Sequence, residues 1–347
     1  MDEQKLDDPL PPKRPRTVGV VYNLKSGKQS VAVDEEAEYD SIDTVDAICA
    51  ALREGGYVPI PLEAGRDLPA TLARGGIDIA FNIAEGHGGR GREAQIPALL
   101  DLYDIPFTGS DETTLCVALD KALTKRIVAG EGVRCPASVL LTDGDTRAAR
   151  PLRFPLIVKP NAEGSSKGIS DVSIVETPQA LEALVRRSCS VYRESMLAEE
   201  YIEGREFTVG LLGNDDALRV FPPMEIRYRK PTQGGYHVYS YSVKQNYREY
   251  VEYICPAPLT PRQTQEMTGA ARRAFEALGC RDFARADFRM DAQGELYFIE
   301  INPLPGLAPG YSDYPMLAEF SGVPYGALVR GVLEAALRRL AAEGCAR

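Results

Sequence analysis

Arg285 and Asp287 stand two residues apart in the segment 283–290 (FARADFRM), and Glu300 and Asn302 stand two apart at the end of the segment 296–302 (LYFIEIN). Both segments alternate like β-strands, and Asp291-Ala-Gln-Gly294 between them reads as a hairpin turn. In a strand, residues i and i+2 point to the same sheet face. One guanidinium and three oxygen-bearing side chains are therefore expected to converge. Oxygen donors without imidazole or thiolate suit Mg²⁺, which commonly bridges protein carboxylates and ATP phosphates. A solvent-facing hairpin carries the same residue types routinely, so the hairpin alone does not define a site. Its company does.

Upstream, residues 154–169 read FPLIVKPNAEGSSKGI. A lysine, Lys159, closes an apolar strand, and Gly164, Ser165, Ser166 and Gly168 follow it. Such a loop can lay backbone N–H groups and hydroxyls along phosphate oxygens, with the lysine as a point charge. The Walker A pattern is absent, and an isolated Gly/Ser loop is more often a plain turn. Between loop and hairpin lies MLAEEYIEGREFT (196–208). There 199–202 could present backbone to an adenine edge, leaving Glu199 and Glu206 free for the amino group or ribose. Taken alone, that segment reads as an edge strand and a turn.

The elements needed to position these residues are legible around them. Residues 17–22 (TVGVVY), 57–61 and 77–82 read as strands, and 41–54 as an amphipathic helix stopped by Gly55-Gly56. Their alternation predicts a parallel sheet covered on both faces, with 105–110 as its exit. Further on, the spacing predicts helices at 120–130, 178–187, 260–278 and 323–342. Strands are predicted at 154–159, 172–175, 196–201 and 206–212. The tyrosine-rich stretch 222–255 gives no clear period. With 347 residues, two or three domains are expected.

A net charge of −10 argues against nucleic-acid and anionic-membrane surfaces but not against a nucleotide cleft, which needs only a few local cations. Seven scattered cysteines without a C-x-x-C pair read as reduced thiols, and two histidines, His87 and His237, make a His-based metal site improbable. No apolar run is long enough to span a bilayer. The charged, proline-rich residues 1–16 read as a disordered tail. A cytoplasmic protein is expected.

Taken in order, the lysine-bearing strand, the Gly/Ser loop, E-E-Y-I-E-G-R-E-F, R-x-D and E-x-N resemble the ATP-grasp superfamily. The details resemble the D-alanine–D-alanine ligases: IVKP-x-x-EGSS-x-G, EFTV, Lys244 ahead of I-C-P, LGC-x-x-x-x-R-x-D, E-x-N-x-x-PG, and in the N-terminal half IP-x-LLDLYDIPFTGS and ALDKALTK. The resemblance implies an α/β ATP-grasp fold. A Rossmann-like parallel-sheet domain (17–112) would precede a central α+β lid domain (113–203) and a C-terminal α+β domain (204–347) carrying the metal and catalytic residues. It implies ADP-forming ligation of a carboxylate to an amine through an acyl phosphate. Lys121, Lys159 and Lys244 would face ATP phosphates under a mobile loop from Glu163 to Gly168, and Glu199, Tyr201, Ile202 and Glu206 would line the adenosine site. Asp287, Glu300 and Asn302 would hold Mg²⁺, two ions by the family pattern, with Mn²⁺ as a substitute. Arg285 and the backbone of Gly306 would stabilise an oxyanion, and Ser165 belongs to the catalytic set. The partners implied are small amino-acid or carboxylate substrates, and a homodimer fits the family habit.

Departures from the family pattern cluster where substrates would be read. Glu35, Glu36 and Glu38 all fall near the position of the glutamate that grips the first ammonium. Gln245-Asn246 stands where a tyrosine would bond Ser165. Glu85 takes a histidine's place, Arg90 and Arg92 are additional cations that could hold a carboxylate, and Ser312 is a candidate carboxylate binder. These differences leave open a ligase of a specialised pathway that joins an amino acid to a non-alanine acceptor by an amide or imine. A non-catalytic ATP-binding protein is the rival of another class, and a phosphotransferase would require a phospho-accepting histidine.

Overall fold

A computed structural model of the chain describes residues 17–25, 38–142, 144–163, 173–192, 194–230, 235–239, 243 and 246–344. The chain opens with β1 (Thr17–Tyr22), α1 (Ile42–Glu54), β2 (Val58–Glu63), α2 (Leu68–Leu72) and β3 (Ile79–Asn82). The strands form a parallel sheet in the order β2-β1-β3. Strand alternation divides two cores: Val18, Val20 and Tyr22 pack towards α1, while Val21 packs with Leu62, Leu68 and Leu72. Gly19 faces the second layer because a Cβ there would stand 2.8 Å from Leu62 Cδ1.

Three helices then carry the chain away: α3 (Gln95–Leu102), α4 (Glu112–Leu119) and α5 (Lys121–Gly130). The sequence reading runs past α3 and α4. Pro97 disguises α3, yet a proline in the first turn costs no backbone hydrogen bond. Asp111 caps α4 by accepting from Thr114 N, and Asp120 caps α5 by accepting from Leu123 N. The second cap fixes where α5 begins. It puts Lys121 in the first turn and Lys125 one turn later on the same face.

Next come β4 (Ser138–Leu141), β5 (Leu156–Pro160), β6 (Ile174–Val175), α6 (Pro178–Tyr192) and β7 (Met196–Glu200). Their sheet runs β4-β7-β5-β6 and is antiparallel throughout. Leu181 and Val185 of α6 seal one face against Leu156, Val158 and Met196. Lys159 pairs across with Leu197 and Ile157 with Glu199, so Lys159 and Glu199 are diagonal neighbours on one face.

The rest of the chain comprises β8 (Arg205–Leu212), β9 (Arg219–Val220), β10 (Met224–Tyr228), α7 (Tyr247–Tyr250), β11 (Val251–Ile254), α8 (Pro261–Ala277), β12 (Phe283–Met290), β13 (Leu296–Asn302), α9 (Asp313–Phe320) and α10 (Tyr325–Ala342). The sheet order is β11-β10-β8-β12-β13, with β9 beside β8. A capping box between Thr260 and Gln263 starts α8, whose Met267, Ala271 and Phe275 join a core with Phe207, Phe288 and Phe298. Among its described residues the stretch 222–255 thus contains the strands β10 and β11 and the helical turn α7. α10 returns to the first layer, where Arg330 Nη1 donates to Ala51 O at 3.1 Å. No described helix is long and apolar enough to cross a membrane.

Candidate active site

The β12–β13 pairing sets Arg285 opposite Asn302 and Asp287 opposite Glu300, with a register shift immediately after Asp287. All four side chains lie on the face that looks towards the central sheet. Arg285 donates to both oxygens of Asp287, at 3.0 and 2.7 Å. Its Nη1 also lies 3.8 Å from Asp313 Oδ2. Asp313, at the start of α9, accepts from the hydroxyls of Tyr253 at 2.9 Å and Tyr239 at 3.2 Å. The guanidinium is therefore braced from two sides. Asp313 was not singled out in the sequence, although Ser312 before it stands at the N-cap of α9 and is a residue type that marks a helix start.

Two half-buried carboxylates face each other across the hairpin. Burial pushes the Asp287 carboxyl above its ordinary range, Arg285 opposes this, and Glu300 adds to it. Burial also works against ionisation of Glu300, but Lys121, Lys159 and Arg285 outweigh it and hold that carboxyl well below the usual range. A carboxylate pair with an adjacent amide is a hard, all-oxygen donor set, and the like-charge strain on Asp287 is what a divalent cation would relieve. The residues fit Mg²⁺.

Three lysines surround Glu300. Lys121 Nζ donates to Glu163 O and stands 3.6 Å from Glu300 Oε2. Lys159 Nζ donates to Glu199 Oε1 at 2.7 Å. Lys125, which the sequence reading quoted without assigning it, reaches Ile299 O at 2.7 Å and lies 3.2 Å from Glu199 Oε2. Its spacing of four from Lys121 was the available signal. Glu199 lines the smaller of two adjoining cavities, and two buried lysines hold its carboxylate there. Glu206 lines the same cavity, accepts from Tyr228 Oη at 2.8 Å and lies 3.5 Å from Arg289 Nη2.

Two cavities meet at this cluster. A slot of about 100 Å³ is lined by Lys159, Tyr201, Ile202, Glu206 and Arg289, and a cleft of about 410 Å³ by Glu38, Lys121, Gly306 and Ser312; Arg285, Glu300 and Asp313 line both. Gly306 has no room for a side chain, since a Cβ would meet Ser312 Oγ at 2.9 Å. That hydroxyl oxygen accepts from Ala308 N at 3.2 Å, so Ser312 folds its own loop as well as facing the cleft.

The far wall of the cleft corrects the expectation for the arginines. Arg92 is buried, and its Nε and Nη2 donate to Glu38 at 3.1 and 2.6 Å while Nη1 donates to Ala162 O at 2.7 Å. Arg90 is 77% exposed and pairs with Asp120 outside the cleft. The Arg92 guanidinium is thereby committed, and Arg90 is not among the residues that line the cleft. Glu85 does line the cleft, beside Glu93, which the sequence reading passed over. Glu35, Glu36, Gly164, Ser165, Ser166, Gly168, Lys244 and Gln245 lie outside the described residues.

Comparison with known proteins accords with this geometry. The family model described as D-ala D-ala ligase C-terminus matches residues 140–334. A D-alanine–D-alanine ligase of Geobacter sulfurreducens is 33% identical over 312 residues, spanning 88% of this chain and 92% of the relative. An uncharacterized protein of Sinorhizobium fredii is 32% identical over 309 residues, spanning 86% and 89%. The crystal structure of the D-alanine–D-alanine ligase of Bacillus anthracis with ATP superposes with a TM-score of 0.74 at 23% identity, covering 95% of this chain and all of that one, and so shares the fold. With a hairpin that gathers Arg285, Asp287, Glu300 and Asn302 between two cavities, and with relatives matched along most of its length, the chain belongs to the D-alanine–D-alanine ligase family.

Proposed function

We propose that the protein is an ATP-dependent carboxylate–amine ligase that forms an amide bond through an acyl phosphate and releases ADP and phosphate. The observation that carries this reading is the join between the two cavities. Arg285 and Glu300 line both, so a phosphoryl donor in the smaller and a carboxylate in the larger would meet there. Lys121, Lys159, the adenosine-side residues Glu199, Tyr201, Ile202 and Glu206, and the metal set Asp287, Glu300 and Asn302 take the roles the family pattern gives them. Lys244 and the 163–168 loop with Ser165 are assigned in the same way. The three sheets support units at 17–112, 113–203 and 204–347.

The substrate carboxylate attacks the γ-phosphorus of ATP in line, and ADP leaves. Bound Mg²⁺ would supply charge neutralisation on the phosphate oxygens, held by Asp287, Glu300 and Asn302. Lys121 and Lys159 spread the remaining charge. The amine of the second substrate then attacks the acyl carbon, the oxyanion forms beside Arg285 and the Gly306 backbone, and phosphate departs. Asp287 and Asp313 keep the Arg285 guanidinium in place, so its donors need little reorganisation during the reaction. An acyl phosphate hydrolyses readily, so water must be excluded while it exists.

Phosphate release measured with MgATP and mixtures of amino acids tests this reading. It should depend on two added substrates, and ADP formation without any acceptor would contradict it. Asp287→Ala and Glu300→Ala should each abolish turnover, and near-normal ADP release by either would remove the metal assignment.

A further inference from the structure

The phosphoryl-transfer parts leave the acidic wall of the larger cleft unexplained. One oxygen from each of Glu38, Glu85 and Glu93 lies within 4.8 Å of the others. Buried like charges this close require a cation or a proton. Of the trio Arg92 bonds only Glu38, because two of its arms bind both oxygens of that carboxylate and the third goes to Ala162 O. Glu93 is only 8% exposed, lines the cleft, and has no hydrogen-bond or ion-pair partner among the described residues. Glu85 lines the same wall and is equally without such a partner. The arrangement is built into the backbone. Gly86 has φ +73°, and a Cβ there would lie 2.0 Å from Arg92 O, so the loop bearing Glu85 must cross directly over the turn bearing Glu93.

The exposed Lys25 also lines the cleft and acts on Asp40, and the buried cations nearest the trio are already committed. Lys121 serves Glu163 O and Glu300, and Arg92 Nη2 lies 3.3 Å from Glu163 Oε2 in addition to Glu38. Two carboxylates therefore face a cleft whose opposite wall carries Arg285, Gly306 and Ser312. We propose, resting on the ligase reading, that this wall selects an amino-acid substrate bearing a second positive charge besides its α-ammonium, with Glu85 and Glu93 as the specificity-determining residues. A single α-ammonium would leave one buried carboxylate uncompensated, whereas a diamino acid matches both. The cleft of about 410 Å³ has room for such a side chain. A divalent ion suits the wall less well. Glu38 is held in a two-toothed pair by Arg92, and two remaining carboxylates fall short of the six or so oxygens a hard ion takes. Before substrate arrives, a proton fills the gap: the Glu93 carboxyl is pushed up to about 8, by burial and then by Glu38.

The test is equilibrium binding to the full chain by calorimetry. Both enantiomers of lysine and ornithine are compared with the neutral analogues norleucine and norvaline, in the wild type and in Glu85→Gln, Glu93→Gln and the double variant. One enantiomer of a diamino acid should bind about tenfold or more tightly than its neutral analogue, with proton release seen as buffer-dependent heat. The double variant should bring the two towards parity while binding of a non-hydrolysable ATP analogue stays unchanged. Equal binding of neutral and cationic ligands by the wild type overturns the proposal, whatever the variants' stability. So does a preference that survives in the double variant, or a Mn²⁺ ion bound by the wild type and lost from it. Two-substrate ADP release in the same preparations reports separately on the ligase reading. Turnover without charge preference sinks only this inference, and charge preference without turnover sinks only the ligase.

Discussion

Arg90 and Arg92 are two residues apart in one loop, and the fold gives them opposite fates that a single substitution pair can expose. The Arg92 side chain is 5% exposed, as is that of Glu38, whose two oxygens it holds. Replacing it with leucine leaves Glu38 buried and uncompensated beside Glu85 and Glu93. Removing one partner of a buried pair costs roughly 3–5 kcal/mol. The lost bond to Ala162 O strands a buried carbonyl and belongs to the upper part of that range. Unfolding entropy near Tm is about 2.1 cal/mol/K per residue, so in a chain of 347 residues each kcal/mol moves Tm by roughly 1.4 °C, and Arg92→Leu should melt roughly 4–7 °C below the wild type at pH 8. At pH 5 the deficit should shrink, because the orphaned carboxyls can take up protons. Arg90 has a 77% exposed side chain and one contact, to Asp120. Arg90→Leu should therefore stay within about 0.5 kcal/mol of the wild type. Differential scanning fluorimetry of both variants at the two pH values is sufficient. Arg92→Leu melting within 2 °C or so of the wild type at pH 8 would refute the reading of that wall.

Other consequences follow from single contacts. Lys125→Met should raise the KM for ATP several-fold with a smaller change in kcat, because Lys125 ties Glu199 of β7 to the carbonyls of β13 from beneath the slot; unchanged steady-state kinetics would exclude that positioning role. Gly86→Ala should destabilise by about 2 kcal/mol or more in urea titrations, since both the positive φ and the 2.0 Å approach to Arg92 O forbid a side chain. The Glu93 carboxyl rises from an ordinary 4.5 to about 8 on folding, so the native state holds the extra proton between those values. Wild-type stability should accordingly fall as pH rises through that window, and Glu93→Gln should flatten the slope; an unchanged slope would reject the buried-carboxyl account. Tyr253→Phe removes one of two hydroxyl donors to Asp313 and should lower kcat while leaving the KM for ATP nearly unchanged.

What was legible in the sequence follows from how local each signal is. Period-two alternation put Arg285 with Asp287 and Glu300 with Asn302, and the observed register sets the two pairs opposite one another. Long, strongly patterned helices such as α8 read clearly because period and cap agree. Short helices did not. α3 hides behind Pro97, α4 has only eight residues, and α9, equally short, follows an N-cap serine, Ser312, that was read as a carboxylate binder instead. Charge partners were the least legible, because they join residues far apart in the chain. Glu199 and Glu206 read as nucleotide-facing carboxylates, and nothing local announced their ties to Lys125, Lys159, Tyr228 and Arg289. Arg92 looked like a solvated loop cation or a carboxylate clamp, and burial against Glu38, 54 residues earlier, made it neither. Glu93 drew no notice beside two arginines, although it is the buried member of the trio.

Transfer of the γ-phosphoryl group to a substrate carboxylate can be followed atom by atom. Amino acids labelled with heavy oxygen in their carboxyl groups, supplied as a mixture with MgATP, should hand one labelled oxygen to each phosphate released, as read by mass spectrometry. Glu300→Gln should release almost no phosphate under the same conditions. Unlabelled phosphate from the wild type, or AMP in place of ADP, would contradict the acyl-phosphate ligase.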